Sequence, residues 1–296
     1  MKKLFSLFAV SVLTITLVPS MVFAAKPPTD ASGGKPQPAP VEQVGYDISY
    51  PQCTTRKLPT GQYFGIVGVN GGTAATTNPC LATQLTWANG SLTGSKQPKV
   101  QLYVNTANPA GDSSYNWATW PTSNTDETSY DTTTANPYGV CSGSHTNTSA
   151  CSWQYGWNRS VEANLDRFVP AAKTANSNTS AGAYTWWLDV ETGNSWQVGS
   201  DAALARNTAT LEGMTAYYKA QGAQVGLYST AVQWSVIVGS AVGSASNLNG
   251  LANWRPSGSS LSNAKANCSV DPLTTGGFIS ITQYVASNLD NDHSCL

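Results

Sequence analysis

The sequence predicts an α/β fold, a TIM-like (β/α) barrel that is irregular in its last strands and carries one long, disulfide-stapled insertion. Short β-like runs alternate with helical patterns over residues 43–296, as in mostly parallel sheets. Polar and acidic residues cluster where those runs end, which in a closed barrel is the working face. The rival, a doubly wound open sheet, lacks its dinucleotide fingerprint. No GxGxxG follows the first run, and Gly71-Gly72 after the second is too little for a phosphate loop.

The β-like runs are Val44–Ser49, Phe64–Asn70, Val100–Asn105, Tyr184–Val190, Gln224–Ser229, Ala252–Trp254 and Phe278–Tyr284, with a last strand around Asp290. Between them, Cys80–Trp87 reads as a short helix. Val161, Leu165, Phe168 and Ala172 keep helical spacing, with Asn158 as N-cap and a kink at Pro170. Leu204, Leu211, Met214 and Tyr218 share another helix face, capped by Ser200 or Asp201 and ended by Gly222. Residues 106–157 break the rhythm with Trp117, Trp120, Tyr130, Tyr138, Trp153 and Tyr155 among turn formers. They read as an excursion over one barrel face, forming a groove wall.

Ahead of the barrel, residues 1–24 have the form of a secretory signal: Lys2 and Lys3, the apolar stretch Leu4–Val18, then Val22-Phe23-Ala24 at the cleavage point. Residues 25–42 are a Pro/Gly-rich linker without hydrophobic period. No later segment is apolar enough to span a membrane. The expected product is a released or wall-associated extracellular protein that does not engage a membrane after signal cleavage.

Charged residues make up only 10% of the chain and the net charge is −1, so there is no electrostatic footprint for nucleic acid. Six cysteines on an exported chain read as disulfides. Six cysteines allow fifteen connectivities. Pairing Cys53 with Cys80, Cys141 with Cys151 and Cys268 with Cys295 is favoured because each closes a local loop. No metal site is expected, since CxxC spacing is absent and the only histidines are His145 and His293. No cofactor is implied.

The densest chemistry lies in Trp186-Trp187-Leu188-Asp189-Val190-Glu191-Thr192-Gly193. In a strand, alternate side chains share a face, so Asp189 and Glu191 point the same way above Trp187. Trp186, Leu188 and Val190 face the other way, into a packed layer. Two acids on one face of a buried strand are costly unless the protein uses them, and paired carboxylates are what glycosidic cleavage needs. The first strand offers Asp47 and the last offers Asp290. First and last strands adjoin in a closed barrel, so these two acids meet across the seam, opposite Asp189 and Glu191.

This ordered set resembles the secreted bacterial glycoside-hydrolase-like (DUF1906-type) barrels related to glycoside hydrolase family 25 lysozymes. The matching pieces are Gly45-Tyr46-Asp47-Ile48-Ser49, Leu188-Asp189-Val190-Glu191, Gly226-Leu227-Tyr228-Ser229-Thr230, Leu251-Ala252-Asn253-Trp254, Gln283-Tyr284 and Asp290. The resemblance implies cleavage of cell-wall glycan, peptidoglycan in the lysozymes. Glu191 would be the general acid, with Asp189 orienting a 2-acetamido group or stabilising developing charge, and Asp47 and Asp290 supporting the site. Val69-Asn70-Gly71-Gly72 and Tyr103-Val104-Asn105 stand where the lysozymes carry basic and histidine-bearing strand ends.

Sugar faces pack on aromatic rings, which makes Trp196, Tyr228, Trp254 and Tyr284 substrate-binding candidates, with Gln283 and Asn105 as hydrogen-bonding partners. The expected partner is a polysaccharide. The alternative reading is a non-catalytic glycan-binding protein that uses the same cleft. A third is an exported structural protein whose acids are merely hydrogen-bonded.

Overall fold

Eight strands close into one barrel in sequence order. In the computed structural model, residues 42–53, 57–112, 114, 119–125 and 135–296 are described. The signal segment, almost all of the linker, Trp117 and Tyr130 lie outside the described residues.

The strands are β1 (Val44–Ile48), β2 (Gly65–Gly68), β3 (Val100–Asn105), β4 (Thr185–Asp189), β5 (Gln224–Tyr228), β6 (Ala252–Pro256), β7 (Phe278–Ala286) and β8 (Leu289–Ser294). Neighbours from β1 to β7 pair in parallel, while β8 runs antiparallel to both β7 and β1. Ser287 and Asn288 join β7 to β8, both at positive φ, as a two-residue hairpin of type I′ demands. The ladder slips between Asn253 and Trp254, a bulge at the β6–β7 edge.

Helices stand between consecutive strands from β2 to β7: α1 (Leu81–Asn89), α2 (Ser149–Glu162), α3 (Val169–Thr174), α4 (Asp201–Ala220), α5 (Ala231–Ile237) and α6 (Leu261–Asn267). The β1–β2 connection carries a single 3₁₀ turn, Tyr50–Gln52, among the described residues. α4 starts as its sequence implies: the Ser200 hydroxyl accepts from the Ala203 amide, and Gly222 follows the helix end at φ +78°.

The helix expected from Asn158 begins earlier. Thr148 caps α2, accepting from the Cys151 amide, while Asn158 sits inside the helix and accepts from Gln154. The chain then passes through a π-helical turn, Ala163–Phe168, into α3, whose first turn holds Pro170. Proline has no N–H to donate back up the helix, so a register change just before it costs little.

Two apolar layers hold the structure. Outward-facing residues of the strands, among them Val67, Leu102, Trp186, Leu188, Val190 and Leu227, pack against the helices. Inside the barrel, Phe64, Ile66, Trp187, Trp254 and Ile281 form a second, smaller core. Gly226 belongs to that inner packing: a Cβ there would collide with the Trp187 ring. A third cluster, Trp120 stacked on Tyr155 beside the Cys141–Cys151 bridge, belongs to the insertion. α2 and α4 cross closely, and a Cβ on Gly213 would strike the Trp153 carbonyl.

The disulfides are Cys53–Cys80, Cys141–Cys151 and Cys268–Cys295, the local pairing. Among the described residues, no helix is long and apolar enough to cross a membrane.

Candidate active site

Asp189 is the last residue of β4, and its main chain is clamped on both sides. The Thr106 amide and hydroxyl donate to the Asp189 carbonyl at 3.2 and 2.6 Å. On the other edge, the Val190 amide donates to the Tyr228 carbonyl, and the Ser229 hydroxyl donates to the Val190 carbonyl. These bonds carry the strand geometry past Asp189, so Glu191 keeps to the same face. Trp196 then donates from its indole to the Glu191 carbonyl at 2.9 Å, closing the loop that leads to α4.

The antiparallel return of β8 sets Asp290 directly opposite Asp47 and Asp292 opposite Gly45. Both walls face one open cavity of about 200 Å³, lined by Asp47, Tyr103, Asp189, Glu191, Tyr228, Trp254, Gln283 and Asp290. Trp254 packs on Tyr228 at 4.4 Å between ring centres and lies 6.1 Å from Tyr103. The expected acids of the first, central and last strands therefore share one cavity.

A hydrogen-bonded chain spans the opening. Tyr228 Oη donates to Gln283 Oε1 at 2.8 Å, and Gln283 Nε2 donates to Asp47 Oδ2 at 2.8 Å. On the other wall, Asn105 Nδ2 donates to Asp189 Oδ2 at 2.7 Å, with the Asn105 amide held by Asn70 Oδ1. The second oxygen of Asp189 is buried and has no hydrogen-bond partner.

Burial raises the proton affinity of Asp47, Asp189 and Glu191. The Asp47 carboxyl is pushed up to about 8 by desolvation and then by the Asp290 charge, against the pull of the Gln283 bond. Asp189 is raised well above the usual carboxylate range by desolvation, then by Glu191 and Asp47. Glu191 is raised by desolvation, with Gln233 pulling it back. Tyr103 and Tyr228 are raised by burial and by the acids around them, so their hydroxyls stay neutral donors.

Not every expected residue reaches the cavity. Tyr284 follows Gln283 on β7 and so faces away from the barrel interior, and it is absent from the lining. Trp196 packs against the helix-side core instead. Asn105 acts on Asp189 rather than lining the opening. No described residue of 106–157 lines the cavity either; Tyr138 from that stretch reaches Glu212 on α4 at 2.5 Å.

Tyr103 and Asp292 are not among the site residues expected from the sequence. Tyr103 shares a strand face with Asn105, which is the signal that locates it. Asp292 shares one with Asp290. It is fully buried and accepts from the Trp254 indole at 2.8 Å, and its carboxyl is raised well above the usual range by desolvation and by Asp47.

A larger cavity, about 450 Å³, opens at the opposite end of the barrel, where Gln97, Gln101, Thr185, Trp187 and Ser280 lie along its wall. It presents no acidic side chain, whereas the smaller one presents four. Among the described residues, no group of three or more His, Cys, Asp or Glu is arranged to hold a metal ion.

No family model, curated protein or solved structure matches this chain.

Proposed function

We propose that the chain is a secreted glycoside hydrolase acting on cell-wall glycan, with peptidoglycan as the first substrate to test, built on a TIM-like (β/α) barrel irregular in its last strands. The observation that carries this is the convergence of Asp47, Asp189, Glu191 and Asp290 on one aromatic-floored cavity at the strand ends. The three disulfides support an oxidising destination.

Glu191 and Asp189 compete for protons across one short stretch of strand, and burial favours keeping one on the pair. Glu191, the more open of the two, delivers it to the leaving glycosidic oxygen as the C1–O bond breaks. The Asn105 donor partly offsets the burial that raises Asp189, and the Asp189 carboxylate, once the pair's proton is on Glu191, stabilises positive charge developing at the anomeric carbon. Water adds to that carbon, and its released proton returns to the acid pair. Asp47 and Asp290 hold the sugar from the seam.

The experiment is reducing-end release from purified peptidoglycan and a panel of other polysaccharides, wild type against Glu191→Gln. The expected loss is roughly 10²–10⁴-fold in rate with the melting temperature kept. Full activity in Glu191→Gln removes Glu191 from the mechanism. Binding without release by either protein makes this a glycan-binding barrel.

A further inference from the structure

The hydrogen-bond ladder changes character one strand away from Asp189. β2 ends at Gly68, and the next amide, that of Val69, still donates to the Tyr103 carbonyl. An unbroken parallel ladder would then send the Asn105 amide to the Val69 carbonyl. That carbonyl accepts from the Asn78 amide instead, and the Asn105 amide donates to the side-chain oxygen of Asn70 at 3.0 Å. Asn70 thus stands in for a main-chain acceptor at the end of the β2–β3 ladder. Its side-chain nitrogen donates to the Ala74 and Thr76 carbonyls at 3.0 and 3.3 Å. A flipped carboxamide would set its NH2 against the Asn105 N–H and its oxygen against two carbonyls, so the orientation is fixed. The residue is fully enclosed.

The loop that Asn70 grips is itself held in shape. The Thr76 hydroxyl accepts from the Gly71 and Thr73 amides. From the helix layer, Arg167 donates to the Ala75 carbonyl at 3.2 Å and to the Thr77 hydroxyl at 3.3 Å. Arg167 lies on the π-helical turn and pairs with Glu162. On the site side, Asn105 stands beside Asp189 in the β3–β4 register and donates to its Oδ2. The Asn105 side-chain oxygen has no partner, so its carboxamide is oriented by its own main chain and by this bond. We propose that Asn70 is a positioning residue of the mouth: framed by the 71–77 loop, it aims the Asn105 donor at Asp189 and so fixes which oxygen of that carboxyl is left for the cavity.

The test reads Asp189 directly. A donor to the ionised form lowers a carboxyl's proton affinity, and Asn105 is the group that pulls Asp189 down against its burial. Carbon-13 NMR follows the carboxyl titration in the full chain carrying Glu191→Gln, with the Asp189 signal assigned through Asp189→Asn. Asn105→Ala should raise the Asp189 midpoint by about one pH unit. Asn70→Ala should raise it in the same direction by a smaller amount, and should add nothing in the Asn105→Ala chain, because it acts through that residue. Asn70→Ser, a milder truncation, is read in its place if Asn70→Ala does not fold. A lowered melting temperature with an unmoved Asp189 midpoint makes Asn70 merely structural and overturns the proposal. A shift that persists undiminished in the Asn105→Ala chain overturns it too.

The consequence for catalysis rests on the hydrolase reading, and it is measured with Glu191 intact. Asn70→Ala should lower kcat on peptidoglycan by about ten- to a hundredfold with KM kept, and the acid limb of its pH profile should move upward with Asp189. If the wild type cuts no polymer while the Asp189 midpoint moves as expected, the hydrolase reading falls and the positioning role stands. If the wild type cuts peptidoglycan and Asn70→Ala keeps both kcat and the midpoint, the reverse holds.

Discussion

The two ends of the barrel bury polar side chains in opposite ways. At the base, Gln101 Oε1 accepts from the Trp187 indole, and its amide nitrogen donates to Gln97 Oε1 and the Pro98 carbonyl. Gln97 in turn donates to the Ser280 carbonyl and to the Ser280 and Ser294 hydroxyls. Both glutamines are uncharged, and each side-chain polar atom is used. At the mouth, the buried groups are acids, and Asp189, Asn105 and Asp292 each keep one oxygen without a partner. A satisfied buried network adds rigidity, whereas an unsatisfied one costs stability and persists where it serves a ligand. The base reads as structure and the mouth as a site.

Substitutions at the two ends should therefore fail in different assays. The largest effect is expected at the mouth. Asp189→Asn keeps the shape and the Asn105 neighbour but removes the charge, so glycan cleavage should fall by about 10²-fold or more while the melting temperature does not fall. A clear loss of stability in that variant would place Asp189 with the structural groups. Gln101→Leu should do the opposite. It strands the Trp187 indole and Gln97 and should cost roughly 1–3 kcal/mol in denaturant unfolding, with cleavage per folded molecule unchanged.

A third comparison sharpens the contrast through pH. Asp47 has a folded pKa raised to about 8 from an ordinary 3.8. Between those values the folded chain holds a proton that the unfolded chain releases, so stability falls as pH rises through this window and levels off above it. Thermal melts should show that decline in the wild type and a flatter profile in Asp47→Asn. An unchanged slope would mean that Asp47 titrates normally.

Much of this was legible in the chain. Strand runs such as Val100–Asn105 and Gln224–Ser229 are marked by short β-like stretches ending in polar residues, and the start and end of α4 by Ser200 and Gly222. The seam pair followed from closure alone, since closure makes neighbours of the first and last strands. The short helices α5 and α6 were missed because seven residues hold too few turns to show a period. The Thr230–Gln233 capping box was the available signal for α5. Tyr284 was misplaced for a different reason: composition marks an aromatic residue as sugar-binding, but the strand face decides, and Gln283 has the inward one.

The reversed direction of β8 has a consequence in time. Asp189 and Glu191 can take their places once β3, β4 and β5 have paired, and those strands are separated by far less chain than β1 and β8. Asp47 gains its neighbour Asp290 only when the two ends of the barrel meet. Pairing between such distant segments comes late in folding. A nascent or shortened chain that stops before residue 289 holds Asp47, Asp189 and Glu191 without Asp290, so the four-acid cup is among the last features of the molecule to come into being.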